Sequence, residues 1–387
     1  MKQILLIGMA AILLLAACSN ERQKLSPQAN LDKKSAGIYY NQKDNQSSLK
    51  KAQELYEKVL KDNPDYFLAL RRLGDINFYF AEIHTAEAKA HEEAKEANAY
   101  KESVHKELQF YRAAYLKYAR AATVLDSLGN VKPLNDDEKT QLRDTSRRRD
   151  NMLDRIVNRG IKEYKDKDNA EAIQTFDMAI RLNPKNPKPL KAMVSIYQDE
   201  KNEAKVEEYL LKIYNLTPDD KDILNRLGSF YFLRDDFTQA LTYFEKVKTL
   251  DPRNLDNQKL IVETYIGMKD YTKALQVLQD VMASEPNNVN LLITAGSIAA
   301  QLKDDAMEMD YKKRAADKEP SPTILSDLCY RLANLQKFDD LMIYAQKWYD
   351  ADQTSKEAVN MCLLAAQQTK NKDMEIKYSA IMKRLEF

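Results

Sequence analysis

The chain has 387 residues, with 60 Lys and Arg against 59 Asp and Glu and a formal net charge of +1. That balance leaves no net basic field of the kind that drives nucleic-acid binding. Only 8 glycines and 3 cysteines occur. The scarcity of glycine favours an all-helical chain, and the length is too great for a single compact core.

At the N-terminus, Met1-Lys2-Gln3 is a short charged start. The apolar run Ile4 to Leu14 has signal-peptide length and is too short to anchor stably across a bilayer. The following Leu15-Ala16-Ala17-Cys18 resembles the bacterial lipobox. The resemblance implies cleavage before Cys18 and acylation of that cysteine, each buried CH₂ adding about 0.8 kcal/mol of membrane attachment. Ser19, where Asp would favour the inner membrane, leans toward the outer membrane and a periplasm-facing protein. Residues 1–17 therefore read as signal peptide, and 18–34 as the lipidated cysteine and a polar tether containing Pro27.

Next, Ala52, Tyr56 and Val59 share a helical face that ends before Pro64, and Leu70, Leu73 and Gly74 open another helix. No Gly or Pro lies between Gly74 and Gly129, and the stretch from His84 to Ser103 is rich in Ala, Glu and Lys. The reading is unusually long helices over about 66–126 that project past their neighbours as a second docking surface or a dimer contact. Ala114, Tyr118 and Ala121 close that pair, giving an N-terminal region 35–132. Pro133 and Asn135 restart a helix with Asp136, Asp137 and Glu138 in its first turn, as the helix dipole prefers.

From there the chain is periodic. Pro184, Pro218, Pro252, Pro286 and Pro320 stand 34 residues apart, a period that means stacked helix–turn–helix units. In the unit ending at Pro252, Leu224, Leu227, Gly228 and Tyr231 form one helical stripe, and Ala240, Phe244 and Val247 form the next. Gly160, Ala172, Phe176 and Ala179 match upstream, and Leu292, Ala295, Gly296 and Ala315 downstream. The regular array spans 133–354. Near its end Phe338, Leu341, Ala345 and Trp348 keep the pattern with one residue deleted from the turn. Residues 355–387 form a capping pair with Lys377, Lys383 and Arg384 on a polar side.

These residues resemble the tetratricopeptide repeat, the TPR, over about 36–387. The resemblance implies a right-handed α-solenoid whose concave face, lined by the first helix of each pair, holds other proteins. Carried over residue by residue, that face is Lys188, Lys191, Ser195 and Gln198; Asp222, Asn225, Ser229 and Phe232; Asp256, Lys259, Glu263 and Ile266; and Asn290, Ile293, Ser297 and Ala300. Lys191 stands at one position of the clamp by which some TPR proteins grip a terminal carboxylate, but Ser195 replaces the Asn expected next. The implied function is a lipid-anchored envelope scaffold for protein partners in outer-membrane assembly, secretion or wall remodelling. The alternative is a lipoprotein that delivers a glycan or peptide to a transporter.

Other chemistry finds little purchase. His84, Glu87 and His91 share a helix face, but the histidines are roughly 10 Å apart along its axis, too far for one tetrahedral ion. No nucleophile elbow or phosphate loop is present, so no enzyme, metal or cofactor is expected. Tyr111, Tyr115 and Tyr118 at helical spacing read as core, Arg147-Arg148-Arg149 as a solvated helix face, and Cys329 and Cys362 as buried thiols in neighbouring first helices.

Overall fold

The computed structural model describes residues 23–131 and 133–385. The signal sequence and Cys18 lie outside them. The described residues form eighteen α-helices and no strand, an α-solenoid of helix–turn–helix pairs. They divide into two compact units, one ending at Leu216 and the other beginning at Thr217.

The first unit holds α1 (Pro27–Asn41), α2 (Gln46–Asp62), α3 (Phe67–Glu93), α4 (Ala97–Gly129), α5 (Asp136–Lys165), α6 (Asn169–Leu182), α7 (Pro187–Asp199) and α8 (Glu203–Leu216). Helix α1 starts inside the expected tether, so 18–34 is not uniformly a linker. Ser26 caps it by accepting from the Ala29 N–H, and Pro27 opens its first turn. Small residues do its packing: Ala29 and Ala36 are buried, while Leu31 and Ile38 point outward. A helix with its larger apolar residues on the outside has no inward stripe to read. Gln23, just before it, donates to the Asp65 carbonyl at 2.8 Å and accepts from the Phe67 N–H at 3.1 Å.

Helices α3 and α4 run to 27 and 33 residues, as long as expected. They do not project alone, because α5 has 30 residues and lies alongside. A ladder of ion pairs joins α3 to α5: Arg71 to Asp144 at 2.9 Å, Asp75 to Arg148 at 3.1 Å, Glu82 to Arg155 at 3.4 Å and Glu92 to Lys162 at 2.6 Å. Glu107 of α4 pairs with Arg159, both nearly buried. Helix α6 follows the first half of α4, with Lys101 reaching Glu171 at 2.9 Å and the Tyr115 hydroxyl donating to the Leu182 carbonyl at 3.0 Å. Neither helix length nor sequence period announces such a neighbour, since the rungs are charged residues spaced about 70 apart.

The small residue of each motif marks a close crossing. A β-carbon on Gly74 would stand 2.6 Å from the Tyr118 ring, and one on Gly160 would stand 2.8 Å from the Phe176 ring. The first three rungs put Gly74 level with Arg147. Gly160 lies about 13 residues further along α5, roughly 20 Å of helix rise. The pair α1–α2 therefore packs at one end of the long helices, where the Tyr40 hydroxyl donates to Asp75 at 3.0 Å. Helix α7 packs at the other, where Lys188 meets Asp154 at 2.8 Å.

The second unit holds α9 (Lys221–Phe232), α10 (Phe237–Leu250), α11 (Leu255–Gly267), α12 (Tyr271–Ser284), α13 (Val289–Gln301), α14 (Asp305–Lys318), α15 (Pro322–Asn334), α16 (Phe338–Ala351), α17 (Lys356–Gln368) and α18 (Lys372–Leu385). Ala240, Phe244, Ile261, Leu278 and Leu292 lie in one core cluster. Leu325, Leu332, Leu341 and Trp348 lie in a second, with Cys329 and Cys362. Both thiols are free and buried, and burial pushes each up to about 12.

Each turn within a pair holds one residue in left-handed backbone: Lys167, Lys201, Asp235, Lys269 and Lys303, then Gln336 and Lys370. The interval is 34 up to Lys303 and 33 to Gln336. The deleted residue is therefore not in the turn before Phe338. It is missing from the loop between α14 and α15, where Ser321 caps the helix and Pro322 takes its first position at once.

Candidate functional site

On α9, α11 and α13 the core takes one stripe, and the expected ligand-facing series takes positions beside it. None of that series is buried. Asp222, Asp256, Glu263, Asn290, Ile293 and Ser297 are exposed, while Asn225, Ser229 and Lys259 are half-buried. Phe232 and Ile266 differ from expectation, since both pack against the core cluster, Phe232 edge-on to Phe237 at 5.5 Å. Lys259 is engaged with Glu285 at 3.1 Å, and Asn288 together with Lys259 holds that carboxyl below its ordinary range. The Ser297 hydroxyl donates to the Ile293 carbonyl of its own helix at 3.0 Å.

In the first unit, Lys188 is tied to Asp154 and the Ser195 hydroxyl donates to the Lys191 carbonyl at 3.4 Å. Lys191 is half-buried and Gln198 exposed.

The series becomes a cavity at one place. Ile293 and Ser297 of α13, Lys312 of α14, and Thr323, Ile324 and Asp327 of α15 line a hollow of about 180 Å³. Two isoleucines make its walls, and Lys312 and Asp327, 2.7 Å apart, make its polar edge. Beneath them lies Glu308, whose side chain is 2% exposed; it pairs with Lys312 at 3.2 Å and with Arg331 at 2.9 Å. Arg331 also reaches Asp305 at 2.6 Å, and its bond to Glu308 raises its pKa further. Sequence reasoning missed this network, although a signal was present. Glu308 stands 34 residues after Ala274, and Lys312 stands 16 after Gly296, where the Gly160 and Gly228 units place Phe176 and Phe244.

The remaining candidates fall in separate places. His84 contacts Glu87 at 2.6 Å and stacks on Phe110, His91 contacts Glu96 at 2.6 Å, and His105 contacts Gln109 at 2.7 Å. Among the described residues no group of three or more acidic, His or Cys side chains is placed to hold a metal ion. Tyr111, Tyr115 and Tyr118 are buried. Arg147-Arg148-Arg149 is not simply a solvated face. Arg147 is largely exposed, but Arg148 is bonded to both Asp75 and Asp144 across two helices.

A family model described as a tetratricopeptide repeat matches residues 231–295. A search of the curated proteins found no match. Among solved structures the chain is similar to MamA residues 41-end from Desulfovibrio magneticus RS-1, at 17% identity over 44% of this chain and 97% of that one, with a TM-score of 0.38. It is similar to YrrB, described as a TPR protein with an unusual peptide-binding site, at 14% identity over 44% and 87%, TM-score 0.38. PilW, described as a widely conserved type IV pilus biogenesis factor, aligns at 17% identity over 53% and 96%, TM-score 0.35.

Proposed function

Because this chain is a tetratricopeptide-repeat protein, a scaffold for protein–protein interaction, we propose that it works at the bacterial cell envelope. In this reading acylated Cys18 anchors it to the outer membrane on the periplasmic side. The first helices then hold partner proteins of an assembly, secretion or wall-remodelling system. Repeat scaffolds of this fold are generally non-enzymatic, and we read this chain in the same way.

The observation that carries the binding part is the series from Asp222 to Ser297. Fourteen-residue second helices bury their apolar stripes against the core, and the first helices keep a polar, mixed-charge row outside it that ends in the Ile293–Ile324 hollow. The anchoring part is supported by the lipobox residues 15–18. The single tryptophan, Trp348, is buried beneath Tyr330, so it offers no platform for a sugar ring.

The test uses the full-length acylated protein with a photo-crosslinker at Glu263 or Ile293, and at Thr242 on a second helix as control. Adducts with one envelope protein from the first two sites alone are expected. Adducts from Thr242 alone would overturn the face assignment. Cys18→Ser should release the protein from the membrane fraction, and unchanged fractionation would overturn the anchor.

A further inference from the structure

The first unit carries a surplus of guanidinium groups that its carboxylates do not balance. Arg71 and Arg72 of α3 and Arg147 and Arg148 of α5 converge on Asp75 and Asp144. Asp75 accepts from the Tyr40 and Tyr118 hydroxyls at 3.0 and 2.7 Å, from Arg148 at 3.1 Å and, more weakly, from Arg72 at 3.5 Å. Asp144 accepts from Arg71 at 2.9 Å, Arg147 at 2.7 Å and Arg148 at 2.9 Å. A carboxylate offers about four lone-pair sites and a guanidinium about five donors, so both acids are close to saturated while donors remain. The Nε of Arg71 is buried with no acceptor. Arg72 lies over the Tyr40 ring at 4.3 Å, which fixes its plane.

This cluster lines a hollow of about 240 Å³ together with Tyr40, Lys43 and Phe78. Phe78 also lines the next hollow, about 270 Å³, with Met152 and Arg155. Arg155 and Asn158 continue into a third, about 460 Å³, with Arg159 and Lys162. The three follow the seam between α3 and α5. From Arg148 to Lys162 the seam is roughly 21 Å long, the reach of about six extended residues. Further along, Arg155, Arg159 and Lys162 are matched by Glu82, Glu107 and Glu92, and Asp154 by Lys188. The positive surplus is therefore confined to one end, and an apolar stretch at Phe78 and Met152 follows it.

We propose that this seam docks an extended acidic segment of a partner protein. Its carboxylates meet Arg71, Arg72, Arg147 and Arg148, and an apolar side chain behind them meets Phe78 and Met152. A nucleic acid would need compensation at every phosphate along the groove, and the middle and far hollows are already charge-paired. The site goes beyond the proposed function, because it shares no residue with the series on α9, α11 and α13, and loss of one leaves the other testable.

The probe is a fluorescent peptide of three glutamates followed by Phe and Leu, titrated into the full chain at low salt. Arg72→Gln, Arg147→Gln and the exposed Lys43→Gln are compared with the remote Lys356→Gln. Binding is expected, weakened about tenfold by Arg72→Gln and measurably by Arg147→Gln and Lys43→Gln, unchanged by Lys356→Gln, and absent for the peptide with lysines in place of glutamates. Circular dichroism of each variant confirms the fold. The proposal is overturned if the peptide does not bind, or if the arginine and Lys43 variants bind it as the parent does. It is also overturned if an oligothymidylate of equal charge binds more tightly through the same residues.

Discussion

Lys312 occupies, in the pair α13–α14, the place that an aromatic ring takes in others: its Cγ stands 3.3 Å from where a β-carbon of Gly296 would be. In the pair α5–α6 the Phe176 ring fills the corresponding space over Gly160. The lysine stem fills the gap, and its ammonium requires Glu308, whose place is Ala274 one repeat earlier. Removing one member of a buried pair leaves the other uncompensated, whereas replacing both by well-packed apolar groups is often neutral or stabilising. Lys312→Phe alone, or Glu308→Ala alone, should therefore lower the stability of the second unit by about 2–3 kcal/mol. Glu308→Ala with Lys312→Phe should recover that loss. Urea unfolding of the four proteins measures it, and additive losses in the double variant would refute the coupling.

Gly160→Ala should destabilise the first unit by about 1–3 kcal/mol. The new methyl would meet the Phe176 ring at 2.8 Å, and that ring is fully buried, so it has nowhere to turn. A thermal melt unchanged from the parent would mean the crossing opens more easily than its packing implies.

The turns offer a change of opposite sign. Lys269 and Lys303 have φ of 59° and 58°, left-handed backbone in which a β-carbon is strained. Lys269→Gly and Lys303→Gly should each raise stability by about 0.5–1 kcal/mol, the relief of strain exceeding the added freedom of the unfolded chain. The readout is the urea midpoint. A fall would show that the lysine stems contribute more by packing than they cost in strain.

Burial raises the Glu163 carboxyl to about 7, with Asp168 and Glu171 adding to the rise and Thr175 and Arg159 opposing it. A carboxyl with a raised folded pKa binds its proton more tightly in the folded state. Its contribution is complete below the unfolded value of about 4.5 and is lost as pH rises through about 7. The first unit should therefore melt lower at pH 8 than at pH 5.5 on this account. Glu163→Gln should flatten that dependence and melt above the parent at pH 8. Melting curves at the two pH values decide it, and an unchanged slope in the variant would assign the effect to another group.

The helical pairs were legible because apolar residues recur at three and four and because proline and glycine repeat at 34, signals that survive in one dimension. The small residues Gly74, Gly160 and Gly228 announced the close crossings for the same reason. Helix α1 was not legible, since its buried face is alanine and its larger apolar side chains are outside. Nor was the α3–α5 ladder, whose members are ordinary surface residue types until two distant helices bring them together. At the candidate site, the exposed row on α9, α11 and α13 could be placed from the family pattern. The Glu308–Lys312–Arg331 network could be found only as a break in that pattern. Phe232 and Ile266 were misplaced because a position adjoining the core can turn a large side chain inward.

The rungs joining Arg71, Asp75 and Glu82 to Asp144, Arg148 and Arg155 make the three long helices a single ruler. Whole repeats can be gained or lost from the regular array in steps of 34 residues, each carrying its own complete set of contacts. The long helices allow no such independent edit. A residue inserted in α3 alone would rotate every later rung by about 100° away from its partner on α5. Relatives of this chain should therefore vary in repeat number but change the lengths of α3, α4 and α5 together or not at all.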